Sequence, residues 1–193
     1  MYHEAMGEIP QQRMSAEEFL AWAENAPGRY ELVAGEVFAQ AAKRAAHAKM
    51  KGAVFLAFTE AIRKTGLPCH AVPDGMAVRV DRATVYEPDA QVYCGPELPP
   101  DALLVEPTIV VEVISPSTGR NDALGKLEGY FRLPSIRYYL IVDPNKPLVI
   151  HHARGDGDAI LTRIFSTGAV ALDPPGLRLE LSAIYGPAGT EAS

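Results

Sequence analysis

The 193-residue chain holds two cysteines, Cys69 and Cys94, and one tryptophan. Thiols this few and this far apart form no CxxC pair, which excludes the common zinc and dithiol redox motifs. They are also too few for a disulfide framework, so reduced thiols in a reducing, cytoplasmic compartment are expected. No run approaches the ~18 uninterrupted apolar residues of a membrane helix, and residues 1–13 lack the basic start and apolar centre of a secretion signal. Positive charge is short as well: 18 Lys and Arg face 24 Asp and Glu, for a net charge of -6. Affinity for phosphates comes mainly from Lys and Arg, so this balance argues against tight unspecific binding to a polyanion. No GxSxG, Walker-type or dinucleotide-binding glycine pattern occurs.

What is present suits one domain with a sizeable core, since 48% of residues are hydrophobic and 22% charged. We place that domain at residues 14–185, between loose tails at 1–13 and 186–193. Ser15-Ala16-Glu17-Glu18 has the form of a capping box opening a short helix. Residues 30–40 alternate around Ala34-Gly35 as a hairpin does. Val54, Phe58 and Ile62 step by four along a helix of about 20 residues, whose other face is expected to carry His47 and the basic side chains. From Lys43 to Lys64 six basic residues face Glu60 alone, a local charge of +5 in an acidic protein. Strands are expected at 76–80, 85–94 with Pro88 early in it, 108–114 and 137–142, with a stop at 115–119 and a helix over 121–133. Short strands at 147–152, 159–165 and 177–181 suggest an antiparallel annex, with a hairpin loop at 154–158. The apolar, strand-rich C-terminal half suggests a homodimer.

Glu112 is out of place in Thr108-Ile109-Val110-Val111-Glu112-Val113-Ile114, because an interior strand accepts a carboxylate only if it is protonated, paired or metal-bound. Asp89 holds a comparable position in Glu87-Pro88-Asp89-Ala90-Gln91-Val92-Tyr93, and the two acids converge if these strands are neighbours. On the following helix Asp122, Lys126 and Tyr130 step by four, opposite an apolar stripe of Leu124, Leu127 and Phe131. Two acids and a lysine at one spot suit a hard cation such as Mg²⁺ or Mn²⁺ beside an anionic substrate. They equally suit a helix pair and a buried ion pair with no catalytic task. His151-His152 point to opposite faces of a strand and cannot readily share a metal, and Asp156-Gly157-Asp158 lacks the rest of a calcium loop.

Several phrases together resemble the Uma-type family of restriction-endonuclease-like proteins, within the PD-(D/E)XK nuclease superfamily. They are Tyr30-Glu31-Leu32-Val33-Ala34-Gly35-Glu36, His47, Pro88-Asp89, Glu112-Val113-Ile114-Ser115-Pro116-Ser117, the spaced Asp122, Lys126 and Tyr130, and Tyr139-Leu140-Ile141-Val142-Asp143-Pro144. The resemblance implies an α/β (α+β) fold, a mixed sheet flanked by helices with a C-terminal antiparallel extension. It also implies DNA hydrolysis, with Asp89, Glu112 and the Val113 carbonyl holding Mg²⁺ or Mn²⁺, Lys126 stabilising charge and Glu31 completing the acidic group. His47, Lys43, Lys51 and Tyr130 are expected near the substrate. The superfamily's usual Glu-X-Lys would put lysine at position 114, where this chain has Ile114, so the cation is expected from Lys126.

Overall fold

A computed structural model describes residues 9–40, 44–114 and 120–186, with residues 120–124 described by backbone alone. Lys43, the stop at 115–119 and the side chains of Asp122 and Leu124 lie outside the described residues, as do the outer parts of both tails. Helix α1 (Ala16–Ala23) starts on the expected capping box: Ser15 Oγ accepts from the Glu18 amide at 3.2 Å, and the Glu18 carboxylate accepts from the Ser15 amide at 2.8 Å. Strands β1 (Tyr30–Val33) and β2 (Glu36–Ala39) form the expected hairpin. Its turn needs the left-handed region at both Ala34, φ 50°, and Gly35, φ 86°. Helix α2 (Ala45–Thr65) ends on Gly66 at φ 67°.

Strands β3 (Cys69–Pro73), β4 (Val78–Asp81), β5 (Thr84–Tyr86), β6 (Ala90–Cys94) and β7 (Ile109–Val113) precede helix α3 (Arg120–Arg132). Strands β8 (Tyr138–Val142), β9 (Val149–Arg154), β10 (Ile160–Phe165), β11 (Ala169–Leu172) and β12 (Leu177–Glu180) lead to the short helix α4 (Leu181–Tyr185). Six strands form a mixed sheet in the order β10-β9-β8-β7-β6-β3, in which only β7 and β8 run parallel, joined by α3. A second, antiparallel sheet has the order β2-β1-β5-β4, and β11 and β12 form a hairpin. One face of the main sheet packs against α2, β12 and α4 through Val54, Phe58, Val111, Leu140 and Leu179. The opposite face carries Val110, Tyr139 and Ile141 beneath α3 and the smaller sheet.

Three expectations need correction. The stretch 85–94 is two strands in two different sheets, divided at Glu87-Pro88-Asp89, because Pro88 has no amide to continue a ladder. The hairpin of β9 and β10 extends the main sheet beside β8, so only β11 and β12 stand apart as an annex. Cys69 and Cys94 are not reduced: they face each other across the β3/β6 ladder and form a disulfide, a pairing set by strand register over 25 positions. Among the described residues, the edge strand β10 exposes large apolar side chains at Ile160, Leu161 and Ile164.

His151 and His152 do face opposite sides of β9, His151 stacking on Tyr138 and His152 on Tyr139. Gly129 in α3 sits where a Cβ would come within 2.7 Å of the Tyr86 ring, so glycine is what lets that ring lie against the helix beside Tyr130. No described helix is long and apolar enough to cross a membrane.

Candidate functional site

The link Glu87-Pro88-Asp89 carries the chain from the smaller sheet to the main one, and it sets an acid at each end of Pro88. Asp89 sits just before β6, where its amide donates to the Val111 carbonyl at 3.0 Å. Asp89 Oδ2 accepts from the Val113 amide at 2.8 Å, so the side chain caps the end of β7. His47 and Lys51, one turn apart on α2, reach the same carboxylate: His47 Nε2 lies 3.3 Å from Oδ2, and Lys51 Nζ 3.4 Å from Oδ1. His47 Nε2 also lies 2.9 Å from the Val113 carbonyl oxygen. Both its neighbours are acceptors, so Nε2 carries the proton.

Glu112 points to the α3 side of the sheet. Its Oε1 accepts from Lys126 Nζ at 2.9 Å and from the Tyr130 hydroxyl at 2.8 Å. Lys126 also donates to Glu31 Oε1 at 2.8 Å, and that same oxygen accepts from the Glu87 amide at 2.9 Å. Glu31 comes from β1, so the smaller sheet, the main sheet and α3 all converge on one ammonium. Glu87 in turn accepts from Arg29 Nε at 2.9 Å; Arg29 and Lys51 both bond Asp74 Oδ2, in the turn after β3. Among the described residues, Lys126, Lys51 and Arg29 thus face Glu31, Glu112, Asp89, Asp74 and Glu87: three cations against five carboxyl groups.

Burial and this imbalance set the protonation states. Glu112 is raised from 4.5 to about 7, mostly by burial and further by the charges of Glu31 and Asp89, against the lowering effect of Lys126. Asp89 goes the other way: burial pushes it up, but the His47 N–H, the Val113 amide and Lys51 outweigh that and hold it below the ordinary range. Lys126 is held well above its usual value because Glu112 and Glu31 overcome the cost of its burial. The Tyr130 hydroxyl is likewise pushed well up by burial and by the nearby carboxylates.

A stability profile tests the Glu112 state. Between its unfolded value of 4.5 and its folded value of about 7, the native protein holds a proton that the unfolded chain has released. Stability should therefore fall as pH rises through that window, by about 3 kcal/mol in all, and level off above it. Glu112→Gln should flatten this limb in urea titrations. An unchanged slope in the variant would show that the proton resides elsewhere.

The structure brings Glu31, Asp89, Glu112, Val113, Lys126, His47, Lys51 and Tyr130 into one bonded region, and Lys43 falls outside the described residues. Two assignments change in kind. His47 is not on an outer basic face of α2: it is 2% exposed and belongs to the inward stripe with Met50, Val54 and Phe58. Tyr130 is 0% exposed, so it holds Glu112 in place and does not touch a substrate from its present position. Arg29, Asp74 and Glu87 were not anticipated. For Glu87 the signal was its place beside Pro88-Asp89; for Arg29 and Asp74 no local pattern marks them.

A family model described as "Uma2: Putative restriction endonuclease" matches residues 16–184. An uncharacterized protein of Synechocystis sp., slr1290, is 26% identical over 179 residues, which span 91% of this chain and 93% of that protein. The crystal structure of a putative nuclease belonging to DUF820 from Anabaena variabilis matches with a TM-score of 0.70 at 14% identity, over 89% of this chain and 97% of that one. At that identity the likeness is one of fold, and it fits the mixed α+β arrangement of sheets flanked by helices. The family match runs from the first residue of α1 into α4, so the chain belongs to the Uma2 family, whose description is putative restriction endonuclease.

Proposed function

We propose that this chain is an endonuclease that hydrolyses DNA phosphodiester bonds with Mg²⁺ or Mn²⁺, and that Asp89, Glu112 and Lys126 form its working centre. Family membership supports the class of reaction. The observation that carries the reading is the pair of buried carboxyl groups at the end of β7, Glu112 bonded to Lys126 and Asp89 to the Val113 amide with His47 and Lys51 against it.

The donor set fits a hard divalent ion. Among the described residues no trio of His, Cys, Asp or Glu is gathered to hold a metal, and Mg²⁺ does not require one, since it keeps several waters and binds through one or two carboxylates. Asp89 and Glu112 would supply those carboxylates. Among the described residues both hydrogen bonds to Glu112 fall on Oε1, so Oε2 is the oxygen it would offer. The Val113 carbonyl already accepts from His47, and its second lone pair is what it would contribute. A bound divalent ion supplies a water acidic enough to attack near neutral pH and offsets charge on the phosphodiester. Lys126, whose proton is held firmly by two carboxylates, serves as a fixed cation beside the phosphate and not as a proton donor. His47 keeps Asp89 and the Val113 carbonyl aligned.

One observation favours a rival reading: Lys126 lies buried between two carboxylates, as in a structural ion cluster, and the protein would then bind nucleic acid or protein without cutting. Incubation with single- and double-stranded DNA in Mg²⁺ or Mn²⁺ separates the two. We expect cleavage by the native chain and a loss of at least about 100-fold in Asp89→Ala and in Lys126→Ala with folding intact. No cleavage by the native chain, or cleavage that survives both changes, overturns the proposal.

A further inference from the structure

We infer that Arg29 and Lys51 form a binding subsite for a backbone phosphate, and that the Asp74 carboxylate occupies this subsite when no nucleic acid is bound. The inference rests on the nuclease reading above and adds a second anion position to it. Its basis is an unusual sharing of one atom. The guanidinium of Arg29, on the segment before β1, and the ammonium of Lys51, on α2, come from different parts of the fold and meet on a single oxygen, Asp74 Oδ2. Two cations on one oxygen is how a protein holds a non-bridging phosphate oxygen, with the planar guanidinium well suited to it.

Each cation has a second acid beside it. Glu87 fixes Arg29 through Nε at 2.9 Å and Nη2 at 2.7 Å, and Asp89 holds Lys51 at 3.4 Å. These two acids flank Pro88, so the rigid link between the sheets sets the spacing of the cations. Asp74, by contrast, sits in the β3–β4 turn next to Gly75, whose φ of 105° only glycine adopts without strain. Its side chain is 32% exposed, that of Arg29 35% and that of Lys51 13%, so the subsite opens to a solvent-borne anion from the Arg29 side. Exchange is neutral in charge, because a phosphodiester and a carboxylate each carry one negative charge. Space adjoins it too: a cavity of about 200 Å³ beside Arg29, Gly75 and Glu87 is walled by Tyr30, Tyr86 and Leu103, which suits the sugar or base next to the bound phosphate.

Fluorescence anisotropy with a labelled DNA duplex in EDTA tests this, since binding is read without metal and without cleavage. Asp74→Asn should tighten binding on the order of tenfold and steepen the salt dependence by about one phosphate contact. Arg29→Gln or Lys51→Gln in that background should abolish the gain. Asp74→Glu, which keeps the charge, should bind like the native protein, and Asp158→Asn, on the exposed β9–β10 loop, controls for net charge alone. The subsite is overturned if folded Asp74→Asn binds no better than native protein, if Asp158→Asn gives the same gain, or if the gain survives Arg29→Gln or Lys51→Gln. Cleavage by the native chain alongside any of those results would sink the subsite and leave the nuclease reading standing; a tenfold gain without cleavage would do the reverse.

Discussion

Lys126→Met is expected to lower the unfolding free energy by about 3–5 kcal/mol near neutral pH, because it leaves Glu31 and Glu112 buried without their cation. The ammonium lies 2.8 Å from Glu31 and 2.9 Å from Glu112, with 9% of its side chain exposed, so water cannot take its place fully. The size of the loss should depend on pH. Lys126 is what holds Glu112 down, and without it Glu112 should keep its proton to still higher pH. The variant is then least impaired in mild acid, where that proton neutralises one acid, and most impaired in alkali. Urea titrations near pH 5 and pH 8 give the comparison. The double variant Lys126→Met, Glu112→Gln should recover much of the loss, since removing both partners of a buried pair is far cheaper than removing one. A single variant within about 1 kcal/mol of native at both pH values would mean that the cluster is open to water and that the burial argument fails.

Much of this arrangement was legible in the sequence wherever local chemistry has a period or a signature. The Ser15 capping box, the Ala34-Gly35 turn, the apolar steps of α2 and the lone acid in an otherwise apolar β7 each follow from spacing. The strand adjacency expected for Asp89 and Glu112 is provided by the antiparallel β6/β7 ladder. His47 departs from the expectation its polarity sets: it lies seven residues before Val54, in register with the buried stripe, and its Nε2 is engaged by Val113 and Asp89. The Cys69–Cys94 disulfide escaped because strand register, not sequence spacing, decides which residues meet. Arg29, Asp74 and Glu87 escaped for the same reason. Their partners lie 45 and 58 positions away, and a surface-looking arginine or turn aspartate shows nothing locally of such contacts.

Asp89→Asn should cost less in stability than Lys126→Met but at least as much in cleavage. The native carboxylate offers two acceptor oxygens to three donors: the Val113 amide at 2.8 Å, His47 Nε2 at 3.3 Å and Lys51 Nζ at 3.4 Å. An asparagine that keeps its carbonyl on Val113 and His47 must turn its NH₂ toward the Lys51 ammonium, setting donor against donor. A loss of about 2 kcal/mol follows from the broken contact and the vanished charge. The pH dependence identifies the cause. Because the native carboxyl is held below its ordinary range, it contributes stability that is fully present above its unfolded value and is lost as pH falls through its folded value. Native and variant curves should therefore separate near neutrality and converge in acid, and parallel curves would mean that the charge of Asp89 does not matter to the fold. Cleavage follows a different rule: an amide is a far poorer ligand than a carboxylate for Mg²⁺, so activity should drop by at least about 100-fold at a pH where the variant is still fully folded. A folded Asp89→Asn protein that cuts DNA at near-native rate would leave Asp89 as a cap on β7 and move the metal site elsewhere.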